Sequence, residues 1–264
     1  MNFSSIIGLV LAVVVFLGAA LTSTKNWKVF IDYHAALIVI GGTLSAALLS
    51  FSAKNMIALM KVFISRVLKG AISQYDEVIN EIVDLAKGYR ENSNYLAERV
   101  DSLKTPFLRE AIQLQIEGGM SPKDIDFILA KRAQTHFKRY GEDSNMFATL
   151  AKFPPAFGLL GAVIGIISLL QGLGGKDAIK TVGPSMAVAL VATLYGIAIA
   201  NFIFVPLGEN LAKYNRTDQN IRKMVLDGLQ MIREKKHPIL VEENIKSYLL
   251  PSEREAISKI HEAA

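Results

Sequence analysis

Four stretches of this chain contain no Lys, Arg, Asp or Glu: Met1–Thr24, Tyr33–Ala53, Phe153–Gly175 and Thr181–Gly208. At a rise of about 1.5 Å per residue, a helix of any of these lengths crosses a hydrocarbon layer of about 30 Å. Within lipid the backbone has no water to bond to, so such stretches are expected as helices that satisfy their own N–H and C=O groups. With 51% of its 264 residues apolar, the chain also carries more apolar surface than a soluble domain of its size requires. The fold class expected is therefore an all-α membrane protein with four transmembrane helices. A cleaved leader is the alternative for the first stretch, because Gly18-Ala19-Ala20 resembles a small-residue cleavage site, but the positively charged start is missing.

Charge sets the orientation. Lys54, Lys61, Arg66 and Lys69 follow the second stretch before any acid appears, which places that flank in the cytoplasm, and Lys25 and Lys28 on the opposite flank are outnumbered. Both termini are then cytoplasmic. The expected division is 1–53 for the first two spans with a short periplasmic loop, 54–146 for a cytoplasmic helical domain, 147–208 for spans three and four, and 209–264 for a cytoplasmic helical tail. The outward connections, 22–32 and 174–180, are too short to form an external domain.

The formal charge of +5 is accounted for by this flank, and no basic stripe with interleaved aromatics points to nucleic acid. There is no cysteine, and His34, His136, His237 and His261 have no ligand spacing, so neither a thiolate nor a histidine metal site is expected. No nucleophile–base pair or phosphate loop suggests an enzyme or a cofactor.

The middle segment has helical periodicity. Ser73 and Asp76 are spaced as a capping box, and Val78, Ile79, Ile82, Val83, Ala86 and Tyr89 follow on one face. Asn92-Ser93-Asn94 ends that helix, Pro106 interrupts or offsets the next, and Gly118-Gly119 closes it. Ser121, Pro122 and Asp124 open another, with Ile125, Ile128 and Leu129 as its apolar set. In the tail, Ile221, Met224, Val225, Leu229 and Ile232 repeat at helical spacing up to a break at Pro238. Middle segment and tail are expected to share one compact domain.

A protein that moves ions normally carries an ionisable group among its spans. These four stretches offer only hydroxyls, amides and backbone, with Ser168, Gln171, Ser185, Thr193, Tyr195 and Asn201 as the inner candidates. Any carboxylate would come from a partner helix. Spans three and four carry a small-residue face suited to close approach: Gly161 with Gly165, Ser185 with Ala189, then Ala192, Gly196 and Ala200. Packing between helices of this same chain is the alternative for that face. Pro155 and Pro206 near the span ends mark boundaries and are candidates for a hinge or gate.

Two segments carry a specific resemblance: FPPAFGLLGAVIGIISLL from Phe153 and VGPSMAVALVATLYGIAIANFIFVPLGENL from Val182. They resemble the third and fourth spans of the flagellar stator A subunits MotA and PomA, within the wider MotA/TolQ/ExbB proton channel family. Order, spacing and span number agree over nearly the whole chain. The resemblance implies an inner-membrane homopentamer around two copies of a single-span B subunit, which binds peptidoglycan and supplies the ion-binding aspartate. It implies that ion flow turns the A ring against the rotor switch complex, with Arg90 and Glu98 as the charged rotor contacts.

In the implied ion path, Thr193 and Pro155 match family positions, and Ala162 stands where sodium-driven relatives carry threonine. Thr193-Leu194-Tyr195-Gly196 is closer to the sodium branch, but a missing oxygen at Ala162 removes a ligand for a hard cation, so the proton is favoured over sodium. Lys152 replaces an acid found in several relatives. Membrane lipid is the remaining expected partner. The competing readings are an ExbB/TolQ-like subunit, whose relatives have three spans, and a scaffold that conducts nothing.

Overall fold

A computed structural model of the chain describes residues 3–24, 26–67, 74–173, 178–251 and 253–254. Lys25, Lys69, Ser73 of the expected capping box, residues 174–177 of the second connection and His261 lie outside the described residues. The chain divides into two compact units, Met1–Gly70 with Gly141–Lys213 and Ala71–Tyr140 with Tyr214–Ala264. Among the described residues both units are built from helices and turns.

In the first unit, α1 spans Phe3–Ser23, and a 3-10 turn at Trp27–Phe30 leads to the second apolar helix. That helix, α2, covers residues 33–50 as Tyr33–Ala36, a π turn at Leu37–Gly41, and Gly42–Ser50. Asp32 caps its start, its carboxylate accepting the Ala35 N–H at 2.9 Å. A further helix, α3, spans Ala53–Val67. In the second unit, α4 (Gln74–Glu91), α5 (Tyr95–Arg99) and α6 (Pro106–Glu117) are followed by α7 (Pro122–Leu150), which belongs to this unit as far as Tyr140. The remaining helices are α8 (Phe153–Gly172), α9 (Ala178–Ile199), α10 (Val205–Arg233) and α11 (Pro238–Lys246).

Three helical stretches, Trp27–Ser50, Pro122–Gly172 and Val182–Arg233, contain windows long and apolar enough to cross a membrane. The 21-residue α1 contains no charged residue. In α8 and α9 the small residues face inward while the large aliphatics face out: Leu159 and Leu190 are each 66% exposed. Hydrocarbon is as apolar as leucine, so in lipid there is no gain in hiding these side chains and a gain in bringing backbones together.

The prolines have distinct consequences. Pro154 and Pro155 sit in the first turn of α8, where a missing N–H leaves no helical bond broken. Pro206 comes two residues after the end of a π turn at Ala200–Phe204. Its ring excludes the carbonyl four residues back and offers it no donor, so the helix widens there before resuming as α10.

The second unit has one aliphatic core. Val78, Ile79, Ile82, Leu85 and Ala86 of α4 pack with Leu108, Ala111 and Ile112 of α6, with Ile125 and Leu129 of α7, and with Met224, Val225, Leu229 and Ile232 of α10. Residues of the middle segment and of the tail thus share one core. The expected turn chemistry is also present. Gly118 and Gly119 take left-handed φ of +70° and +79°. Ser121 Oγ accepts the Asp124 N–H at 3.2 Å, and the Asp124 carboxylate accepts the Ser121 N–H at 3.3 Å.

Candidate functional site

The first unit brings α8 and α9 together along the small-residue face. A Cβ added at Gly158 would lie 2.9 Å from the Ala192 carbonyl oxygen, one at Gly161 2.5 Å from Ala192 Cβ, and one at Gly165 2.8 Å from Ala189 Cβ. A Cβ on Gly196 would collide with the Pro154 carbonyl. Gly161, Gly165, Ala189 and Gly196 therefore meet partners within this chain, the alternative that their spacing left open. Pro155, Ala162 and Thr193 are half-buried at this contact.

Thr193 lies one turn after Ala189, whose carbonyl accepts its hydroxyl at 3.1 Å, and it approaches the Gly158 carbonyl at 3.5 Å. Ser185 Oγ and Ser168 Oγ are 3.3 Å apart further along the same pair of helices. Asn201 donates to the Ile197 carbonyl of its own helix at 3.0 Å, and Gln171 is exposed. Polar oxygens thus line the α8–α9 contact, supplied by hydroxyls and by carbonyls that glycine leaves uncovered.

The partner of one inner candidate was not legible from the sequence. Tyr195, near the midpoint of the charge-free stretch 181–208, donates its hydroxyl to the Phe30 carbonyl at 2.5 Å and accepts the Asp32 N–H at 3.4 Å. Ala35 and Val39 of α2 pack against Val191 and Ala192 of α9 at the same level. Phe30 and Asp32 therefore lie beside the last turns of α9, next to Tyr195, although by chain position they read as lying outside the spans. The sequence signal was a lone tyrosine in an apolar run, a side chain that seeks a hydrogen-bond partner when buried.

The second unit carries Arg90 and Glu98, both exposed, on either side of the 92–94 turn. Asn92 donates to Glu98 at 3.4 Å. Behind Glu98, the Asp84 carboxylate accepts the Tyr95 hydroxyl at 3.1 Å and pairs with Arg99 at 3.1 Å. Tyr95 lays its ring on Gly88, where a Cβ would occupy the ring's position. Partial burial and the neighbouring Asp84 carboxylate raise the Tyr95 pKa above its ordinary value, and the Asp84 hydrogen bond raises that of Arg99. Arg90 is left without an ion pair among the described residues, whereas Arg99 is tied down.

The apolar helices are those of a multi-pass membrane protein, joined in one chain to a helical unit with a charged surface. The chain belongs to the MotA/TolQ/ExbB proton channel family, which it matches over residues 99–243. It is 29% identical to Motility protein A of Borreliella burgdorferi, over 98% of either chain. It is 25% identical to chemotaxis protein PomA of Vibrio alginolyticus, over 96% of this chain and 98% of that one. It shares the fold of a chain in the flagellar MotAB stator complex from Bacillus subtilis, with a TM-score of 0.84, 24% identity, and 96% and 98% of the two chains covered.

Proposed function

We propose that this chain is the A subunit of a bacterial flagellar stator, converting an ion gradient into torque on the rotor. The observation that carries the reading is likeness along the full length to proteins named for motility, at 98% coverage of both chains for the Borreliella relative. An ExbB/TolQ-like subunit would be expected to lack one of the four charge-free stretches.

In this reading α1, α2, α8 and α9 with the start of α10 are four spans of the inner membrane, and both termini and the second unit face the cytoplasm. The basic flank at Lys54, Lys61, Arg66 and Lys69 supports that orientation. Five copies surround two B subunits, each contributing a helix with an aspartate. The half-buried edge formed by Pro155, Ala162 and Thr193 receives that helix, while Gly161, Gly165, Ala189 and Gly196 set how closely α8 and α9 approach behind it. Ala162 offers no side-chain oxygen, so the ion is a proton, with sodium the alternative. The widened turn before Pro206 gives the helix a place to flex, and Pro155 is the second hinge candidate. Arg90 and Glu98 make and release contacts with the rotor, because exposed charges attract a complementary surface without permanent burial.

Co-expression with a peptidoglycan-binding B subunit should restore swimming to a stator-deficient cell. Arg90→Glu or Glu98→Lys should lower torque while the complex still assembles. Liposomes holding this chain alone should pass neither protons nor sodium, and liposomes holding both subunits should pass protons. Specific flux from the chain alone would overturn the shared-site reading, and a strict sodium requirement for rotation would overturn the choice of ion.

A further inference from the structure

Two residues separate α2 from α3 and break its course. Phe51 is extended, at φ −136° and ψ 145°, so α3 is a new helix rather than a continuation of the span. Ser52 starts it, its hydroxyl accepting the Asn55 N–H at 3.2 Å. Leu59 of α3 is buried with Ala47 from the last turn of α2, with Phe147 and Leu150 at the end of α7 and with Leu211 of α10, while Met56, Phe153 and Leu207 pack around them. Phe153 is the first residue of α8, and Lys152 beside it is the last charge before that helix. The helix α3 is therefore fixed at the level where the apolar stretches end.

Another face of α3 is open. Lys54, Ile57 and Lys61 follow one another at spacings of three and four residues, so they share one side of the helix, and all three are exposed, Ile57 at 60%. Neither lysine has an ion pair among the described residues. Between Asp32 and Asp76 the chain carries no acid, only the cations Lys54, Lys61, Arg66 and Lys69. This face thus asks for an apolar boundary and for anions within the reach of one side chain. A bilayer surface offers both, since a long lysine stem can lie along apolar material and still hold its ammonium among phosphates.

We propose that the Lys54–Ile57–Lys61 face of α3 lies in the headgroup layer of the membrane and binds anionic phospholipid, with Ile57 at the acyl boundary and both ammoniums on headgroup phosphates. This rests on the reading that α2 and α8 cross the membrane. The occupant follows from continuity, because α3 packs on the last turn of one span and the first residue of another. Its charge follows from complementarity: a zwitterionic headgroup is neutral as a whole, whereas an anionic leaflet attracts every lysine near its surface.

The chain has no cysteine, so one bimane label at Ala58→Cys, exposed beside this face, reports on it alone. The labelled chain is purified with a cysteine-free B subunit and placed in phosphatidylcholine nanodiscs doped with spin-labelled phosphatidylglycerol or with equally labelled phosphatidylcholine. Quenching at Ala58→Cys should favour phosphatidylglycerol about five-fold or more, the preference expected from even one lysine near charged headgroups, and should fade as salt is raised. Lys54→Gln combined with Lys61→Gln should bring the two lipids to equal quenching, and Lys54→Arg combined with Lys61→Arg should keep the preference. A label at Leu44→Cys, 52% exposed within α2, should be quenched by both lipids alike. Three results would each overturn the headgroup site: equal quenching with both lysines present, a preference that survives the glutamine pair, or no quenching at Ala58→Cys while Leu44→Cys is quenched. No quenching at Leu44→Cys would remove the span reading, and the headgroup site with it.

Discussion

The α8–α9 contact of the first unit and the core of the second are built from opposite kinds of residue. At the α8–α9 contact, Gly158, Gly161, Gly165 and Gly196 are buried, while Leu159 and Leu190 are 66% exposed. In the second, Ile82, Leu85, Leu108 and Leu229 are 0% exposed, and Asp84, Asp126 and Asp218 form ion pairs at its surface. The difference follows from the solvent each unit is built for. Water expels a leucine at about 25 cal/mol per Å² of apolar surface, so the second unit folds around its large aliphatics. Lipid provides no such force, and helices in it cohere through close backbone contact, which only small residues permit.

Adjacent residues of α8 should respond in opposite ways. Gly158→Leu forces a side chain into the Ala192 carbonyl and should prevent α8 and α9 from closing, reducing the amount of assembled protein in the membrane by about tenfold or more. Leu159→Ala, one residue on, removes only an exposed side chain and should leave that amount unchanged. If the alanine variant proved as damaging as the leucine one, Leu159 would be a contact with another protein chain rather than with lipid.

A smaller effect is expected from the core of the second unit. Leu85→Ala leaves a cavity at a fully buried position and should cost about 2–5 kcal/mol in chemical denaturation followed through that unit. Smaller again is the effect of Tyr195→Phe, which removes the partly buried bond to the Phe30 carbonyl, worth about 1 kcal/mol, and the longer one from the Asp32 N–H. Its signature is local. With Val29→Cys introduced into this cysteine-free chain, thiol labelling should speed up several-fold in the phenylalanine background, because the 27–32 segment loses its anchor. Unchanged labelling would mean that apolar packing alone holds the connection in place.

The sequence made visible whatever depends on local periodicity or turn chemistry. The buried set Val78, Ile79, Ile82 and Ala86, the reciprocal Ser121–Asp124 cap and the left-handed pair Gly118–Gly119 are all decided within a few residues. What it withheld depends on which face meets which. Spacing alone showed that Gly161 and Gly165 share a face, but not that Ala192 and Ala189 of the same chain would fill it. Nor does anything near Asp32 reveal that Tyr195, 163 residues away, bonds its N–H. Lys235, with a φ of +52°, is the extreme case, because a lysine gives no signal of left-handed backbone and only the surrounding structure imposes it.

The smallest expected effect distinguishes the units by pH. In the second unit, the Tyr248 hydroxyl donates to Asp227 at 2.5 Å, and burial together with that carboxylate pushes its pKa up to about 12 from an ordinary value of 10.0. The folded state therefore holds this proton more tightly than the unfolded state does. The resulting stabilisation is complete below about pH 10 and is lost as pH rises through the folded pKa of about 12. Lysines titrate in the same window, so the informative quantity is the difference between the native chain and Tyr248→Phe. That difference in melting temperature should stay constant from pH 7 to about 10 and shrink above it. The α8–α9 glycine contact has no titratable side chain, so it contributes nothing to this difference. A difference that stayed flat to pH 12 would show that the Tyr248–Asp227 bond holds its proton no more tightly than water does.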